Sequence, residues 1–281
     1  MRVEYLSDHA GRQLQIASEQ LQTAQSDVYN RQLGYNEALG VARAARRAKP
    51  FWKRLLLVPT PDEREALGQV EQFRRQRDDA QSSVYQIEQT VEQRAAGVEG
   101  EHALTWGLSN LPDEWIMLRG YRNRRGEIDH LLVGPLGLWA VEVKRRPVRV
   151  HVAGDEWRYE KLDRWGNVVE TGWATDRRGR SWARQVNDAA HDLRLWLGRN
   201  DYQVPIHTTV MLMHERAQIG QCENLTVNLL ATEPQQLVEE IWRQPSRLSP
   251  TACTEIVKLI RRDHHFHNRR RQPSRRPPRQ P

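Results

Sequence analysis

Leu14, Leu21, Val28 and Tyr35 recur at seven-residue spacing, with Ala17, Ala24 and Ala38 at the companion positions. A second seam runs through Val70, Ala80, Val84, Ile87 and Val91. Apolar residues spaced in this way form one stripe along an α-helix, and the stripe needs a partner helix to cover it. Between the seams stand Pro50, Pro59 and Pro61, and each ends a helix because proline lacks an N–H and clashes with the preceding turn. Residues 1–96 therefore read as an antiparallel coiled-coil hairpin of two long helices. Thr60, Pro61 and Glu63 form a capping box with proline at the first helical position, which starts the second helix. The tip, residues 50–60, is most apolar over 51–58. It reads either as a cap packed across the hairpin end or as a docking point for a protein partner or membrane surface.

From Gly97 onward tryptophan becomes frequent and turn signals arrive every ten residues or so, which marks a mixed α/β domain. Leu104, Leu108 and Leu111 give 98–110 a helical face, 115–121 is strand-like, and 122–126 is a polar turn. The β-rich runs 127–133 and 138–146 flank Gly134-Pro135-Leu136-Gly137, a four-residue loop signal, and predict a hairpin. Short strands are expected at 148–152, 156–162, 206–213 and 227–230, with a turn at 163–167. Ser181 caps a helix through Leu197 whose apolar face includes Val186, Ala189 and Leu193. Helices follow at 235–242 and 250–262. In this reading 97–215 is the core of the domain, 216–267 completes it, and the Arg/Pro-rich stretch 268–281 is disordered by composition.

Charge and cysteine content narrow the function classes. The net charge is +7, but the last fourteen residues hold six arginines and no acid, so the rest of the chain is close to neutral. The high isoelectric point is mostly a tail property, and the tail reads as a nonspecific electrostatic tether. No apolar run approaches the ~20 residues that span a bilayer. The opening residues lack a secretory h-region, and Cys222 and Cys253 read as reduced thiols, so the expected setting is cytoplasmic. The spacing of His264, His265 and His267 with those cysteines matches no compact zinc site. No glycine-rich phosphate loop is present.

The candidate chemistry lies in the 127–146 hairpin. If Val133 faces Leu138 across the turn, Asp129 faces Glu142 and Glu127 faces Lys144. Alternation then puts those four charged residues on one face and Ile128, Trp139, Val141 and Val143 on the other. Opposed side chains have Cβ atoms ~5 Å apart, and like charges there are destabilising. A charged hairpin face can be no more than its solvated side, with Glu127 and Lys144 an ion pair worth under ~1 kcal/mol. Two features favour a cation instead. The strand is otherwise apolar enough to be central, and Asp129 opposite Glu142 needs compensation of the kind a hard divalent ion supplies through one or two carboxylates, water and phosphate oxygens.

The stretch GEIDHLLVGPLGLWAVEVK, from Gly126 to Lys144, resembles the PD-(D/E)XK nuclease superfamily and, more narrowly, its NERD (nuclease-related) domains: an acid, a hairpin spacer, then Glu-x-Lys. Gly100-Glu101 on the preceding helix and Gln185 on the Ser181 helix stand where such domains place an accessory acid and a glutamine. The resemblance covers roughly 97–215, and it departs from the superfamily pattern in having Ile128 rather than proline before Asp129. It implies an α/β, restriction-endonuclease-like mixed sheet flanked by helices, here preceded by the helical hairpin. It also implies Mg²⁺- or Mn²⁺-dependent hydrolysis of DNA phosphodiester bonds, endonucleolytic by preference. By resemblance Asp129, Glu142 and the Val143 carbonyl would ligate the metal, and Lys144 would orient or deprotonate the attacking water. Glu101 would hold a second ion or a water of the first, and Gln185 would position Lys144 or the phosphate. Glu127 is either an outer acid or the partner of Lys144.

Basic residues near this face fit a polyanionic substrate: Arg122, Arg124 and Arg125 before it, Arg145, Arg146 and Arg149 after it, and Arg177, Arg178, Arg180 and Arg184 at the later helix. Trp157, Trp165 and Trp173 read as core and turn packing, with Trp165 at a turn a candidate contact to nucleic acid. The coiled coil would supply dimerisation or a partner-binding arm. The rival reading is a catalytically silent DNA-binding or scaffold protein that works through the coiled coil, and a further one is a membrane-surface adaptor using the apolar tip.

Overall fold

A computed structural model describes residues 1–48, 50, 59–245 and 248–269. The expectations for the apolar tip at 51–58 and for the tail from 270 onward lie outside the described residues. The chain folds as two compact units, Gly11–Ala95, and Met1–Ala10 together with Ala96 onward.

Helices α1 (His9–Ala48) and α2 (Pro61–Gly107) supply the first unit. They run antiparallel there: Arg94 Nη1 donates to the Gln13 carbonyl at 2.6 Å, and Gly34 lies against the Phe73 ring. The expected seam is present but thin. Its enclosed positions are the alanines Ala17, Ala38, Ala42, Ala66 and Ala80, while Leu14, Leu21, Val28, Tyr35, Val70, Val84, Ile87 and Val91 stay half-buried. The Glu63 N–H donates to Thr60 Oγ1 at 3.3 Å, so the second helix starts at the anticipated cap. No break occurs at Gly97, and α2 is continuous to Gly107. A mid-helix glycine costs only about 1 kcal/mol, which burial of Leu104 and Leu108 offsets.

The second unit is built on a six-stranded mixed sheet in the order β1-β2-β3-β4-β8-β10. These strands are β1 (Arg2–Tyr5), β2 (Ile116–Arg122), β3 (Glu127–Gly134), β4 (Gly137–Lys144), β8 (Ile206–Leu212) and β10 (Leu229–Ala231). A four-stranded sheet, β7-β6-β5-β9, comprises β5 (Val148–Ala153), β6 (Glu156–Leu162), β7 (Val168–Trp173) and β9 (Gln218–Glu223). Helices α3 (Trp182–Gly198) and α5 (Pro250–Arg269) cover one face of the large sheet through Val186, Leu193, Ile256 and Ile260. The C-terminal turns of α2 and helix α4 (Pro234–Trp242) cover the other through Leu104, Leu108, Leu237 and Ile241. This is an α/β fold with helix-flanked mixed sheets. No described helix is long and apolar enough to cross a membrane.

Four differences from the sequence reading have physical causes. Residues 2–5 form an edge strand parallel to β2 rather than helix, because four residues are too few to show a period and their partner lies more than a hundred residues away. β7 and β9 are exposed on both faces and carry no hydrophobic alternation, and pairing to β6 and β5 holds them extended. The hairpin loop is two residues, Pro135-Leu136, since Gly134 still pairs with Gly137. Ile128 packs with Tyr121, Leu131 and Val133, not with Trp139, Val141 and Val143. The β2–β3 ladder joins Arg119 to His130 and Tyr121 to Ile128 but omits Gly120 and Asp129 between them, which disturbs the alternation at that point.

Gly120 has φ +69°, and a Cβ there would sit 2.4 Å from the Ser7 carbonyl oxygen. Left-handed backbone costs a residue with a side chain about 1–2 kcal/mol before any clash. Gly120→Ala is therefore expected to destabilise the domain by roughly 2–4 kcal/mol. Gly166→Ala, at φ +86° in open space, should lose only about 1–2 kcal/mol. Urea unfolding of both variants checks this, and equal losses would contradict it.

Candidate active site

Strand β4 is central, antiparallel to β3 on one side and parallel to β8 on the other. Its register with β3 is the expected one, with Val133 opposite Leu138 and His130 opposite Val141. There the β3–β4 ladder stops, while β4 stays paired to β8 through Glu142, Val143 and Lys144. Just past the last pair, Asp129 Oδ2 accepts the Val143 N–H at 2.8 Å. A side-chain carboxylate thus takes the place of a backbone acceptor where the two strands part.

A cleft of about 710 Å³ opens at this point, lined by Glu101, Glu127, Asp129, Glu142 and Gln185 among others. Glu142 is buried and forms an ion pair with Lys144, whose ammonium also lies 5.9 Å from the centre of the Trp182 ring. Burial, then the Glu142 charge, pushes the Asp129 carboxyl well above the usual aspartate range. Burial alone would lower the Lys144 ammonium, but Glu142 and Asp129 outweigh it and hold the group above its ordinary value.

Glu101 reaches the cleft because Gly100 lets α2 approach β4: a Cβ at Gly100 would stand 2.9 Å from Arg145 Cβ and 3.3 Å from Val143 Cγ1. Glu101 Oε2 accepts from Arg119 Nη2 at 2.7 Å, and Arg119 Nη1 donates to the Tyr5 hydroxyl at 2.9 Å. Burial raises the Glu101 carboxyl despite that pairing. Gln185 lines the cleft, yet its amide donates to the Arg180 and Ser181 carbonyls at 3.4 Å rather than to Lys144. Glu127 pairs with Arg122, its cross-strand neighbour, and accepts from Ser7 Oγ at 3.3 Å. Pairing between Glu127 and Lys144 is thereby corrected: β3 has left β4 before reaching that position.

The basic residues divide. Arg122, Arg124, Arg125, Arg178 and Arg180 line the cleft, whereas Arg145, Arg146 and Arg184 do not. Most carry an internal partner: Arg124 with Asp192 at 2.6 Å, Arg180 with Asp176 at 2.9 Å and Arg145 with Glu99 at 2.9 Å. Arg146 lies 6.0 Å from the Tyr159 ring centre, and the Arg184 N–H donates to Ser181 Oγ as part of the helix cap. Trp157 is core. Trp165 and Trp173 are exposed beneath the guanidinium groups of Arg164 and Arg158.

Sequence reasoning missed His9, Asn123 and His267, which also line the cleft, and Arg119, which holds Glu101. His267 had a readable signal. It lies on the same helical stripe as Ile256, Ile260, Asp263 and His264, the buried face of α5.

Residues 96–213 match the family model of the nuclease-related domain, NERD. No curated protein and no solved structure matches the chain. The matched segment contains Glu101, Asp129, Glu142, Lys144 and Gln185; its cleft gathers carboxylates and a basic rim where β3 and β4 part, and Lys144 is ion-paired to one of those carboxylates, Glu142. Over residues 96–213 the chain therefore carries a NERD, nuclease-related, domain.

Proposed function

We propose that this cleft hydrolyses phosphodiester bonds of DNA with the help of Mg²⁺ or Mn²⁺, as an endonuclease in DNA processing or defence. The observation that carries the reading is Asp129 and Glu142 lying close enough to oppose each other's charge beside Lys144, in a nuclease-related domain. The donor set suits a hard cation. Among the described residues no group of three or more His, Cys, Asp or Glu side chains is arranged to hold a metal. Asp129 and Glu142, which both line the cleft, would hold it, with Val143 contributing its carbonyl and the other positions left to water and substrate oxygens, the usual pattern for Mg²⁺. Such an ion supplies Lewis acidity at the phosphoryl oxygens.

The chain's own residues do the rest. Asp129 is held by the Val143 N–H through one oxygen, which leaves the other for a ligand. Lys144, kept charged by its two acidic neighbours, orients the attacking water and faces the negative charge that develops at phosphorus. In this arrangement the lysine acts as a fixed cation more readily than as a base. Glu101, braced by Arg119, adds negative field behind the carboxylates, and Gln185 would present its amide to the phosphate by turning it from the Arg180 and Ser181 carbonyls. The rim arginines offset the repulsion between an acidic centre and a polyanion.

Purified protein incubated with supercoiled, linear and single-stranded DNA in Mg²⁺ or Mn²⁺ should cleave at least one form. Asp129→Ala and Lys144→Ala should each lose about 10²-fold or more of that activity while retaining DNA binding, and EDTA should abolish it. DNA binding by wild type without cleavage and without uptake of a divalent ion would favour the silent scaffold instead.

A second expectation concerns stability. The folded-state pKa of Asp129 is raised, so its contribution is fully present below the unfolded value of about 3.9 and lost as pH rises through the folded value. Neutral pH is therefore the costly side. Asp129→Asn keeps an acceptor for the Val143 N–H and removes the charge, so in EDTA at neutral pH it should gain about 1 kcal/mol and raise the thermal midpoint by a few degrees. A lowered midpoint would contradict like-charge strain at this position.

A further inference from the structure

We infer that His267, carried by α5 from outside the matched segment, contacts the phosphodiester of the substrate and is positioned to do so by Asp263. The inference rests on the nuclease reading of the cleft and deepens it.

His267 lines the same cleft as Asp129 and Glu142 and is 18% exposed. Its Nε2 lies 3.5 Å from Asp263 Oδ1, one helical turn earlier. The other oxygen of Asp263 accepts the Tyr121 hydroxyl at 2.5 Å, and Tyr121 is fully buried in the centre of the sheet. Asp263 is itself buried, and burying a carboxylate is costly unless it is paired. Tyr121 and His267 are those partners, so the sheet orients the carboxylate and the carboxylate orients the imidazole. The helix cannot readily shift, because Ile256, Val257 and Ile260 are buried beneath it and His264 Nδ1 accepts the Arg122 N–H at 3.1 Å.

In its doubly protonated form, whose charge Asp263 faces, the ring turns Nε2–H to that carboxylate and keeps Nδ1–H to donate to a second partner. The rest of the cleft supplies the need for one. Its floor is acidic, and Arg122, Arg124 and Arg180 on its rim already pair with Glu127, Asp192 and Asp176. A non-bridging phosphate oxygen is the acceptor that a cleft of this composition would bring to a nitrogen donor at its edge. No bond is made or broken in this role. His267 acts as a substrate contact, and Asp263 acts through it as a positioning residue.

The test is the affinity of the full chain for a fluorescein-labelled DNA duplex, read by anisotropy in EDTA so that cleavage plays no part. His267→Ala should weaken binding about tenfold, the size of one charge-assisted hydrogen bond, and His267→Arg should restore most of it. Asp263→Asn should weaken binding in the His267 background and have no effect in the His267→Ala background, which a purely structural role for Asp263 would not produce. Equal affinities for His267→Ala and wild type overturn the inference, as does an equal Asp263→Asn loss in both backgrounds. Wild type that binds no DNA overturns the nuclease reading beneath it, a separate result.

Discussion

The hydrogen bond from the Val143 N–H to the Asp129 carboxylate is the point on which the rest of the site depends. Asp129 is missing from both ladders of its strand, the one to β2 and the one to β4. A residue omitted on both sides would ordinarily mark a weak place in a central strand, because buried backbone groups need partners. Here the side chain does the satisfying. In consequence β3 can turn away from β4 without leaving the Val143 donor unpaired, and the space between the strands becomes the cleft. Glu142 then lines that space with Lys144 ion-paired to it, while β8 keeps this end of β4 in the sheet, and the mutual repulsion of the acids is built in by the fold.

Much of this was legible in the sequence because short-range rules govern it. The hairpin register followed from a turn signal and period-two alternation, and it placed Asp129 beside Glu142. The Ser181 cap and the apolar stripe of α3 were local as well, and the structure has both, with the Arg184 N–H on the cap and Val186, Ala189, Leu193 and Leu197 buried. What escaped was set by partners distant in the chain. Extending the register puts Glu127 opposite Lys144, yet the ladder ends three residues earlier, at His130 and Val141. Strand β1 depends on β2, and the roles of Arg119 and His267 depend on which faces meet after folding. Glu101 is the mixed case, where a Gly-Glu pair was visible but its reason, a close approach of helix to strand at Gly100, was not.

The electrostatics of the cleft explain why formal charge was a poor guide. Ten arginines near the hairpin fit a polyanionic substrate, but in the fold several of them neutralise acids, as Arg124 does for Asp192 and Arg180 for Asp176. Surface pairs of this kind contribute little to stability, about 0–1 kcal/mol each. Their effect is to hold guanidinium groups at set positions around an acidic centre.

The division of the chain also bears on how the fold is reached. The edge strand β1 belongs to the larger unit, while the hairpin lies between it and the rest of that unit in the sequence. Pairing β1 with β2 through a flexible chain of about a hundred residues carries a large closure entropy. Two antiparallel helices whose ends are clasped by the Arg94–Gln13 bond convert that span into an effective loop of about thirty residues, a saving of about 1 kcal/mol. The hairpin would then serve folding order as well as any partner: once its helices zip, the first strand is delivered to the sheet as though it were a sequence neighbour.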